Sequence, residues 1–148
     1  MSWYPHLTVA AVIESNHQFL LVEERVDGEL VINQPAGHLE NNESLLAATI
    51  RETHEETGWD FEPTYLIGIY HWQHPYNKQT FIRFCFGGEL QEQDQNANLD
   101  PDIEQVIWLS YEDVVKRQAQ HRSPLVLNCI NDYRAGHRYS LELIQNVI

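Results

Sequence analysis

The sequence predicts a mixed α/β domain with helices on both sides of a β-sheet, and three observations lead to this prediction. Apolar and β-branched runs at residues 7–14 and 18–25 have the composition of β-strands. Residues 43–57 have the spacing of an amphipathic helix, and further strand-like and helix-like segments follow. Because strands and helices are interspersed along the chain, helices are expected to cover both faces of the sheet.

The N-terminal part is predicted to consist of strands joined by turns. The polar segment 15–17 separates residues 7–14 from residues 18–25, so these two runs are expected to pair as a β-hairpin. The Asp27-Gly28 pair marks a second turn, and residues 29–33 form a short strand that leads toward the helix.

The helix at residues 43–57 has clear signals at both ends. Asn41 and Asn42 are residue types that favour the N-cap, and Glu43 suits the positive end of the helix dipole. Gly58 suits the position after the helix, where the backbone turns left-handed. One narrow arc carries the residues expected to pack on the sheet, namely Leu46, Ile50, Thr53 and Thr57.

A second arc of this helix carries three carboxylates, Glu52, Glu55 and Glu56. Carboxylates at these spacings repel one another by roughly 0.2–0.5 kcal/mol per pair on an exposed helix. Arg51 lies one turn before Glu55 and can neutralise that carboxylate alone. A hard divalent cation, Mg²⁺ or Mn²⁺, is therefore expected among the oxygen ligands. The alternative interpretation is a solvated acidic face.

The second half of the chain continues with strands and then helices. The predicted elements are strands at residues 64–72, 80–90 and 104–109 and helices at residues 111–119 and 125–133. Ser110 is the expected cap of the first of these helices, and Gly136 is expected to end the second. The polar segment 91–101 predicts a surface loop, and residues 139–148 show no clear pattern.

Composition restricts the possible partners. The 148 residues carry a formal net charge of −13 at pH 7, which disfavours binding to nucleic acid or to anionic membranes. No apolar segment approaches the ~18 residues of a membrane span, so a cytoplasmic protein is expected. Cys85 and Cys129 form no ligand-like cluster and are expected to be buried free thiols.

Seven residues around the acidic helix follow the pattern G-x5-E-x7-R-E-x2-E-E-x-G, namely Gly37, Glu43, Arg51, Glu52, Glu55, Glu56 and Gly58. The pattern resembles the Nudix box, here at residues 37–59, which is the signature of Mg²⁺-dependent hydrolases of organic diphosphates. Thr53 and Trp59 depart from the aliphatic residues usual at their positions, and both are packing positions. Other segments, among them NQPAGHLE and FIRFCF, resemble the NudJ-type phosphatases of this family.

The resemblance implies the Nudix fold, an α/β/α sandwich with a central mixed β-sheet and a loop–helix–loop motif, in a single domain over residues 1–148. It also implies that Glu52, Glu55 and Glu56 bind the metal, with the Gly37 carbonyl as a possible further ligand. Arg51 would orient Glu55 through an ion pair. Glu52 could in addition act as general base toward the attacking water.

Carboxylates outside the box are further candidates for the general base. Asp100, Asp102 and Glu104 lie in or near the loop that precedes the strand at 104–109, and Glu104 is the preferred candidate. Glu23 and Glu24 point to opposite faces of their strand, so at most one of them can face the site, and a surface position is expected.

Side chains after the box are candidates for substrate binding. Tyr70, Trp72 and Tyr76 offer flat faces to a base or pyrimidine ring, and Arg83 could bind a phosphate through two N–H groups. The other interpretations are that Tyr70 and Trp72 belong to the core and that Arg83 faces solvent. Arg122 is a weaker phosphate candidate. Three histidines are expected as polar lining of the pocket, namely His38, His71 and His74.

Three functions remain open. The first is a Mg²⁺-dependent phosphatase that releases orthophosphate from nucleoside di- and triphosphates and thiamine-type diphosphates. The second is a Nudix pyrophosphatase for ADP-ribose, dinucleoside polyphosphates or nucleotide sugars. The third is a non-catalytic nucleotide-binding module, which the complete set of box carboxylates disfavours. The expected partner is a small phosphate compound, and the protein is expected to be a monomer or a homodimer.

Overall fold

The computed structural model describes residues 2–148, which form eight β-strands, three α-helices and two 3₁₀ turns. In chain order, the strands are β1 (His6–Ala11), β2 (Glu14–Ser15), β3 (Gln18–Val26), β4 (Glu29–Asn33), β5 (Ala36–His38), β6 (Trp59–Gln73), β7 (Thr80–Gln93) and β8 (Ile103–Ser110). The α-helices are α1 (Leu45–Thr57), α2 (Tyr111–Lys116) and α3 (Leu125–Arg134). The 3₁₀ turns span Gln118–Gln120 and Leu141–Leu143.

Four strands form a mixed sheet in the order β5-β1-β7-β6, in which β1 and β7 are parallel and the other pairs are antiparallel. A second, antiparallel sheet contains β2, β3, β4 and β8. Val9 of β1 packs with Ala48 of α1, whereas Ala10 and Cys85 face the cluster that contains Ile130 of α3. Because α1 and α3 thus cover opposite faces of the mixed sheet, the predicted α/β class is confirmed.

The predicted N-terminal hairpin is wrong in its pairing. β1 pairs with β5 and β7 in the mixed sheet, and only Glu14–Ser15 pairs with β3. Val12 and Ile13 are buried where the chain crosses from one sheet to the other. The apolar run at residues 7–14 therefore reflects a central strand with both faces covered, which lacks the alternation of a half-exposed hairpin strand.

Helix α1 begins two residues later than predicted, and it buries Thr53 and Thr57 and packs Leu46 on the core as predicted. Ser44 is the N-cap, and its side chain accepts a hydrogen bond from the first turn. Asn42 has a left-handed backbone (φ 63°) in the preceding turn. Ile50, predicted to pack, is 42% exposed, whereas Glu52 and Glu56 are buried. Two of the three carboxylates of the acidic arc are thus buried, where their charges require compensation.

The elements predicted in the second half are confirmed with changed lengths. β7 extends through Gln93 into the segment predicted to be a loop. Ser110 caps α2 as predicted, but α2 ends at Lys116 and a 3₁₀ turn follows. In the unassigned C-terminal segment, Tyr139 pairs with Leu66 of β6. Within residues 2–148, none of the helices combines the length and apolarity needed to cross a membrane.

Candidate active site

Three carboxylates from α1 and a neighbouring loop converge at one point. One carboxylate oxygen from each of Glu52, Glu55 and Asp100 lies within 4.8 Å of the other two. Glu52 and Glu55 belong to α1, and the Asp100 N–H donates to the Glu55 carbonyl at 3.0 Å. This backbone bond holds the loop beside the helix, so that the three carboxylates form one group, hereafter the carboxylate cluster.

Arg51 contacts more carboxylates than the sequence predicts. Its Nε donates to Glu43 at 2.6 Å, and its Nη1 donates to Glu52 at 2.7 Å and to Glu55 at 3.2 Å. Its Nη2 donates to the His38 carbonyl at 3.1 Å. The bond between Arg51 and Glu43 raises the pKa of the arginine and lowers the pKa of the glutamate. Arg51 therefore orients Glu52 as well as Glu55, and Glu43 anchors the guanidinium.

Glu56 is buried beside the carboxylate cluster. Its Oε1 accepts a hydrogen bond from the Ala36 N–H at 2.9 Å. Burial, together with the nearby charges of Glu24, Glu52 and Asp100, raises the pKa of Glu56 to about 9. A protonated carboxyl at neutral pH can become a metal ligand only if the cation displaces the proton.

Gly37 lies in direct contact with Glu52. A Cβ atom at position 37 would lie 2.1 Å from the Glu52 Cδ, far closer than two carbon atoms can approach. Glycine is therefore the one residue that leaves room for this carboxylate beside β5. Glu52 is held between the Gly37 backbone on one side and Arg51 on the other. The metal contact expected of the Gly37 carbonyl stays a prediction.

The carboxylate cluster fits a divalent metal ion. Burial raises the pKa of both Glu52 and Asp100, and neighbouring carboxylates add to this effect. Positive charge placed among these groups would relieve the repulsion between them. Every donor in the cluster is a carboxylate oxygen, which suits Mg²⁺ or Mn²⁺ better than zinc.

A cleft of about 640 Å³ opens beside the carboxylate cluster. This volume lies in the range of sites that bind small molecules. The walls come from both sheets, from α1, and from the loops before β8 and α3. Seven acidic side chains line it, namely Glu24, Asp27, Glu29, Glu52, Glu56, Asp100 and Asp102. An anionic substrate can enter such a cleft only together with a cation.

The family model of the NUDIX domain matches residues 4–129 of the chain. The chain belongs to the Nudix family. It is 43% identical to the Phosphatase NudJ of Shigella boydii serotype 4 (strain Sb227) over 140 residues, which cover 95% of this chain and 90% of that protein. Its identity to the Phosphatase NudJ of Escherichia coli (strain K12) is 42%, with the same coverage.

A solved structure of a NUDIX hydrolase from Nitrosomonas europaea superposes on this Nudix chain with a TM-score of 0.95. The two sequences are 47% identical, and the match covers 97% of this chain and 98% of that one. The predicted Nudix fold and the prediction of a hydrolase are thereby confirmed.

The three aromatic residues predicted to bind substrate are separated in this Nudix structure. Trp72 lines the cleft beside Phe81, with 5.6 Å between the ring centroids. Tyr70 packs against the core, and its hydroxyl donates to Asp132 of α3 at 2.7 Å. Tyr76 is 89% exposed and lies outside the cleft. Tyr70 and Trp72 are two residues apart on β6, but Tyr70 contacts α3 whereas Trp72 faces the cleft.

Arg83 is buried in the cleft wall, so the solvent-facing interpretation is wrong. Its side chain is only 6% exposed; Nη1 donates to Gln34 at 2.9 Å and Nη2 donates to Asn33 at 3.2 Å. Gln34 in turn donates to the Val126 carbonyl of α3. The Arg83 Nε has no hydrogen-bond partner among residues 2–148. Because Nε is buried, a two-point bond from the Nε edge of Arg83 to a phosphate would require this edge to become accessible from the cleft.

Glu104, the preferred candidate for a base outside the box, is not brought to the carboxylate cluster. It forms an exposed ion pair with Arg25 at 2.7 Å. Asp100 lies beside Glu52 and Glu55 instead. The difference arises because the bond from the Asp100 N–H to the Glu55 carbonyl brings the loop to α1, whereas the chain after residue 103 runs along β3.

Glu23 and Glu24 point in opposite directions as predicted, but both are buried, so the expected surface position is wrong. Glu24 lines the cleft and pairs with Arg122 at 2.7 Å. Glu23 pairs with Arg117 at 2.8 Å away from the cleft. The arginines that pair with these glutamates lie more than 90 positions later in the sequence. Because no local sequence pattern indicates such distant partners, the burial of the two glutamates was not predicted.

The predicted histidines of the pocket and the two cysteines can also be located in the structure. His38 and His74 line the cleft, whereas His71 is exposed. Phe81 also lines the cleft and was missed, although it lies two residues before Arg83 on the same face of β7, a spacing that could have indicated it. The two cysteines are free and buried as predicted, namely Cys85 and Cys129.

Proposed function

We propose that this Nudix hydrolase is a Mg²⁺-dependent phosphatase that releases orthophosphate from nucleoside di- and triphosphates and from thiamine-type diphosphates. The observation that carries the proposal is the convergence of Glu52, Glu55 and Asp100 within 4.8 Å, beside a cleft of about 640 Å³. Orthophosphate release is supported by the name phosphatase, which is carried by relatives that are 42–43% identical to this protein over 95% of the chain.

The proposed metal ligands are Glu52, Glu55 and Asp100, with Glu56 and the Gly37 carbonyl as further ligands. All are oxygen donors, so Mn²⁺ could replace Mg²⁺. When bound, the ion would stabilise the negative charge of the phosphoryl oxygens.

Glu52 is the proposed general base. Its Oε1 accepts a hydrogen bond from Arg51 at 2.7 Å, which leaves Oε2 to take a proton from the attacking water. The contact with Gly37 holds the carboxylate in place. Burial raises the pKa of Glu52, which moves it toward the range where a base works best near neutral pH.

The cleft also suits a substrate whose leaving group carries an aromatic ring. Trp72 and Phe81 line one wall, and His74 lies 5.4 Å from Trp72 between ring centroids. Flat rings of this kind can stack on a nucleobase or on the pyrimidine of thiamine. Trp72 is thus the proposed ring-binding residue, in place of Tyr70 and Tyr76.

A panel of phosphate compounds tests the proposal. The protein is incubated with Mg²⁺ and nucleoside di- and triphosphates, thiamine diphosphate, ADP-ribose or dinucleoside polyphosphates, and orthophosphate and pyrophosphate are measured separately. Orthophosphate from simple di- and triphosphates is the expected result. Cleavage of ADP-ribose or dinucleotides alone would replace the proposal with a pyrophosphatase, and binding without any release would replace it with a non-catalytic module.

Two substitutions test the metal assignment. We expect Glu55→Gln and Glu56→Gln to weaken Mg²⁺ affinity by about 10- to 100-fold and to lose Mg²⁺-dependent turnover, because the amide cannot carry the negative charge of the ligand. Glu92→Gln is the matched control, since Glu92 is an exposed carboxylate on β7. Unchanged rates in both Glu55→Gln and Glu56→Gln would contradict the assignment.

A further inference from the structure

The cleft has few positive groups with which to hold a phosphate. Against the seven carboxylates that line it, the lining residues include two arginines, Arg83 and Arg122. Arg51 does not line the cleft and is already bonded to Glu43, Glu52 and Glu55. The two arginines of the lining are therefore the cationic side chains that could meet a phosphate within the cleft.

Of these two arginines, Arg122 is the more available. Arg83 is only 6% exposed, and both of its terminal nitrogens donate to protein amides. The Arg122 side chain is 46% exposed, and within residues 2–148 its guanidinium makes one hydrogen bond, from Nη1 to Glu24. Its Nε and Nη2 make no hydrogen bond within residues 2–148. An arginine edge with two parallel N–H groups matches two oxygens of a phosphate.

The position of Arg122 is defined by its backbone and by its ion pair. The Arg122 N–H donates to the Ile32 carbonyl at 2.9 Å, and His121 forms a β-bridge with the same residue of β4. Glu24 is buried on β3 and holds the guanidinium at 2.7 Å. Because Arg122 is held by contacts with two strands of the second sheet, its side chain loses less conformational entropy when it binds a ligand.

Arg122 and its partner Glu24 line the same cleft as Glu52 and Asp100 of the carboxylate cluster. Arg51, by contrast, is bonded to Glu52 and Glu55 and does not line the cleft. A phosphate chain that starts at the carboxylate cluster and lies within the cleft can therefore meet the Arg122 guanidinium.

We propose that Arg122 is a specificity-determining residue that binds the terminal phosphate of the substrate, so that the cleft favours compounds ending in an unesterified phosphate. Such a group carries about −1.5 to −2 charge at pH 7 and three acceptor oxygens. ADP-ribose and dinucleoside polyphosphates have no terminal phosphate, because the phosphate at each end of the chain is esterified to a ribose, so none of their phosphorus atoms carries three free oxygens. This inference rests on the proposed function, and it explains how the protein would select substrates that yield orthophosphate.

Equilibrium binding tests the inference without turnover. Isothermal titration calorimetry of the Mg²⁺-loaded protein measures Kd for methylene diphosphonate, which ends in unesterified phosphonates, and for ADP-ribose, which has no terminal phosphate. We expect R122Q to weaken binding of methylene diphosphonate by about 10- to 100-fold, and binding of ADP-ribose by less than about 3-fold. R122K should give an intermediate loss for methylene diphosphonate, because an ammonium group lacks the planar pair of donors.

Two further variants separate specific binding from general charge effects. R122Q leaves the buried Glu24 unpaired, and the double variant E24Q/R122Q removes that charge while restoring the net charge of the natural protein. We expect the double variant to keep the selective loss for methylene diphosphonate. R25Q is the control, since Arg25 is exposed and pairs with Glu104 outside the cleft; its Kd values should not change.

The outcomes distinguish this inference from the proposed function. Three results would overturn the role of Arg122. They are a natural protein that fails to bind methylene diphosphonate, unchanged binding of this ligand by both R122Q and the double variant, and an equal loss of affinity for the two ligands. Orthophosphate release by the natural protein would still stand in each of these cases. Conversely, selective binding without orthophosphate release would contradict the proposed reaction and leave Arg122 as a determinant of ligand choice.

Discussion

Gly37 and Glu52 illustrate how a single missing methyl group shapes the candidate metal site. The Glu52 carboxylate occupies the space that a Cβ atom at position 37 would take, and Arg51 holds it from the other side. Ligand orientation of this kind affects metal affinity because an ion binds well only where its donors are already placed.

We expect Gly37→Ala to weaken Mg²⁺ affinity by about 10- to 100-fold, because the added methyl group displaces the Glu52 carboxylate. Calorimetric titration with MgCl₂ measures the change. Gly136→Ala is the control: its backbone is left-handed (φ 85°) and its surroundings are open, so it should destabilise the fold by about 1 kcal/mol and leave Mg²⁺ affinity unchanged. Equal Mg²⁺ affinity in both variants would contradict the steric argument.

Glu56 makes the stability of the metal-free protein depend on pH. Its pKa is about 9 in the folded protein and 4.5 ordinarily, so between these values the folded state binds more protons than the unfolded state. The free energy of unfolding should therefore fall as pH rises from about 4.5 to about 9. Glu56→Gln should remove this contribution, since the amide does not titrate and its oxygen can still accept the Ala36 bond.

Urea unfolding in EDTA at pH 5, 7 and 9 measures this effect. The variant should gain stability relative to the natural protein as pH increases. A constant difference between the two proteins across the three pH values would show that burial does not hold the proton on Glu56.

At the scale of elements, α1 is defined by its ends and by the loop that docks on it. Ser44 caps its first turn, and Gly58 ends it with φ 76°. The Asp100 N–H then attaches the loop before β8 to the last turn through the Glu55 carbonyl. The helix thus presents two carboxylates of the cluster and positions the third.

We expect Ser44→Ala to lower the free energy of unfolding by about 1 kcal/mol, because the Ala47 N–H loses its side-chain acceptor. Chemical denaturation measures the loss. Ser15→Ala is the matched control, since Ser15 is an exposed serine on β2 and caps no helix. Equal stability of the two variants would show that the cap contributes nothing.

At the scale of the whole molecule, the candidate site is assembled where the two sheets, α1 and two loops meet. Thr8 and Trp72 come from the mixed sheet, Glu24 and Asn33 come from the second sheet, and Asp102 comes from the loop before β8. Metal binding at this junction should consequently stabilise the entire fold, because the unfolded chain does not preserve the arrangement.

We expect Mg²⁺ at ten times its Kd to raise the free energy of unfolding by about 1.4 kcal/mol, which corresponds to a thermal midpoint about 3 to 6 °C higher. Differential scanning calorimetry measures the shift. NaCl at matched ionic strength controls for screening of the net charge of −13. A shift of the same size in Glu55→Gln would attribute the stabilisation to nonspecific binding of the cation.

The sequence predicts regular elements well where their pattern is local. The boundaries of β4 and the Ser110 cap agree with the structure. The pairing of β1 was wrong because a buried central strand and a hairpin strand can have the same apolar composition. The inward turn of Glu52 and Glu56 was missed because helical periodicity gives relative directions around α1 without showing which side meets the sheet.

By itself, the sequence determined the family and the acidic helix of this protein, because the box residues lie within 22 positions of one another and helical spacing relates their side chains. Only the tertiary structure decided that Asp100 and not Glu104 joins the carboxylates, and that Trp72 and not Tyr70 lines the cleft. It also decided that Arg122 meets Glu24 across 98 positions. These contacts depend on how separate segments dock, and spacing along the chain does not encode their distance in space.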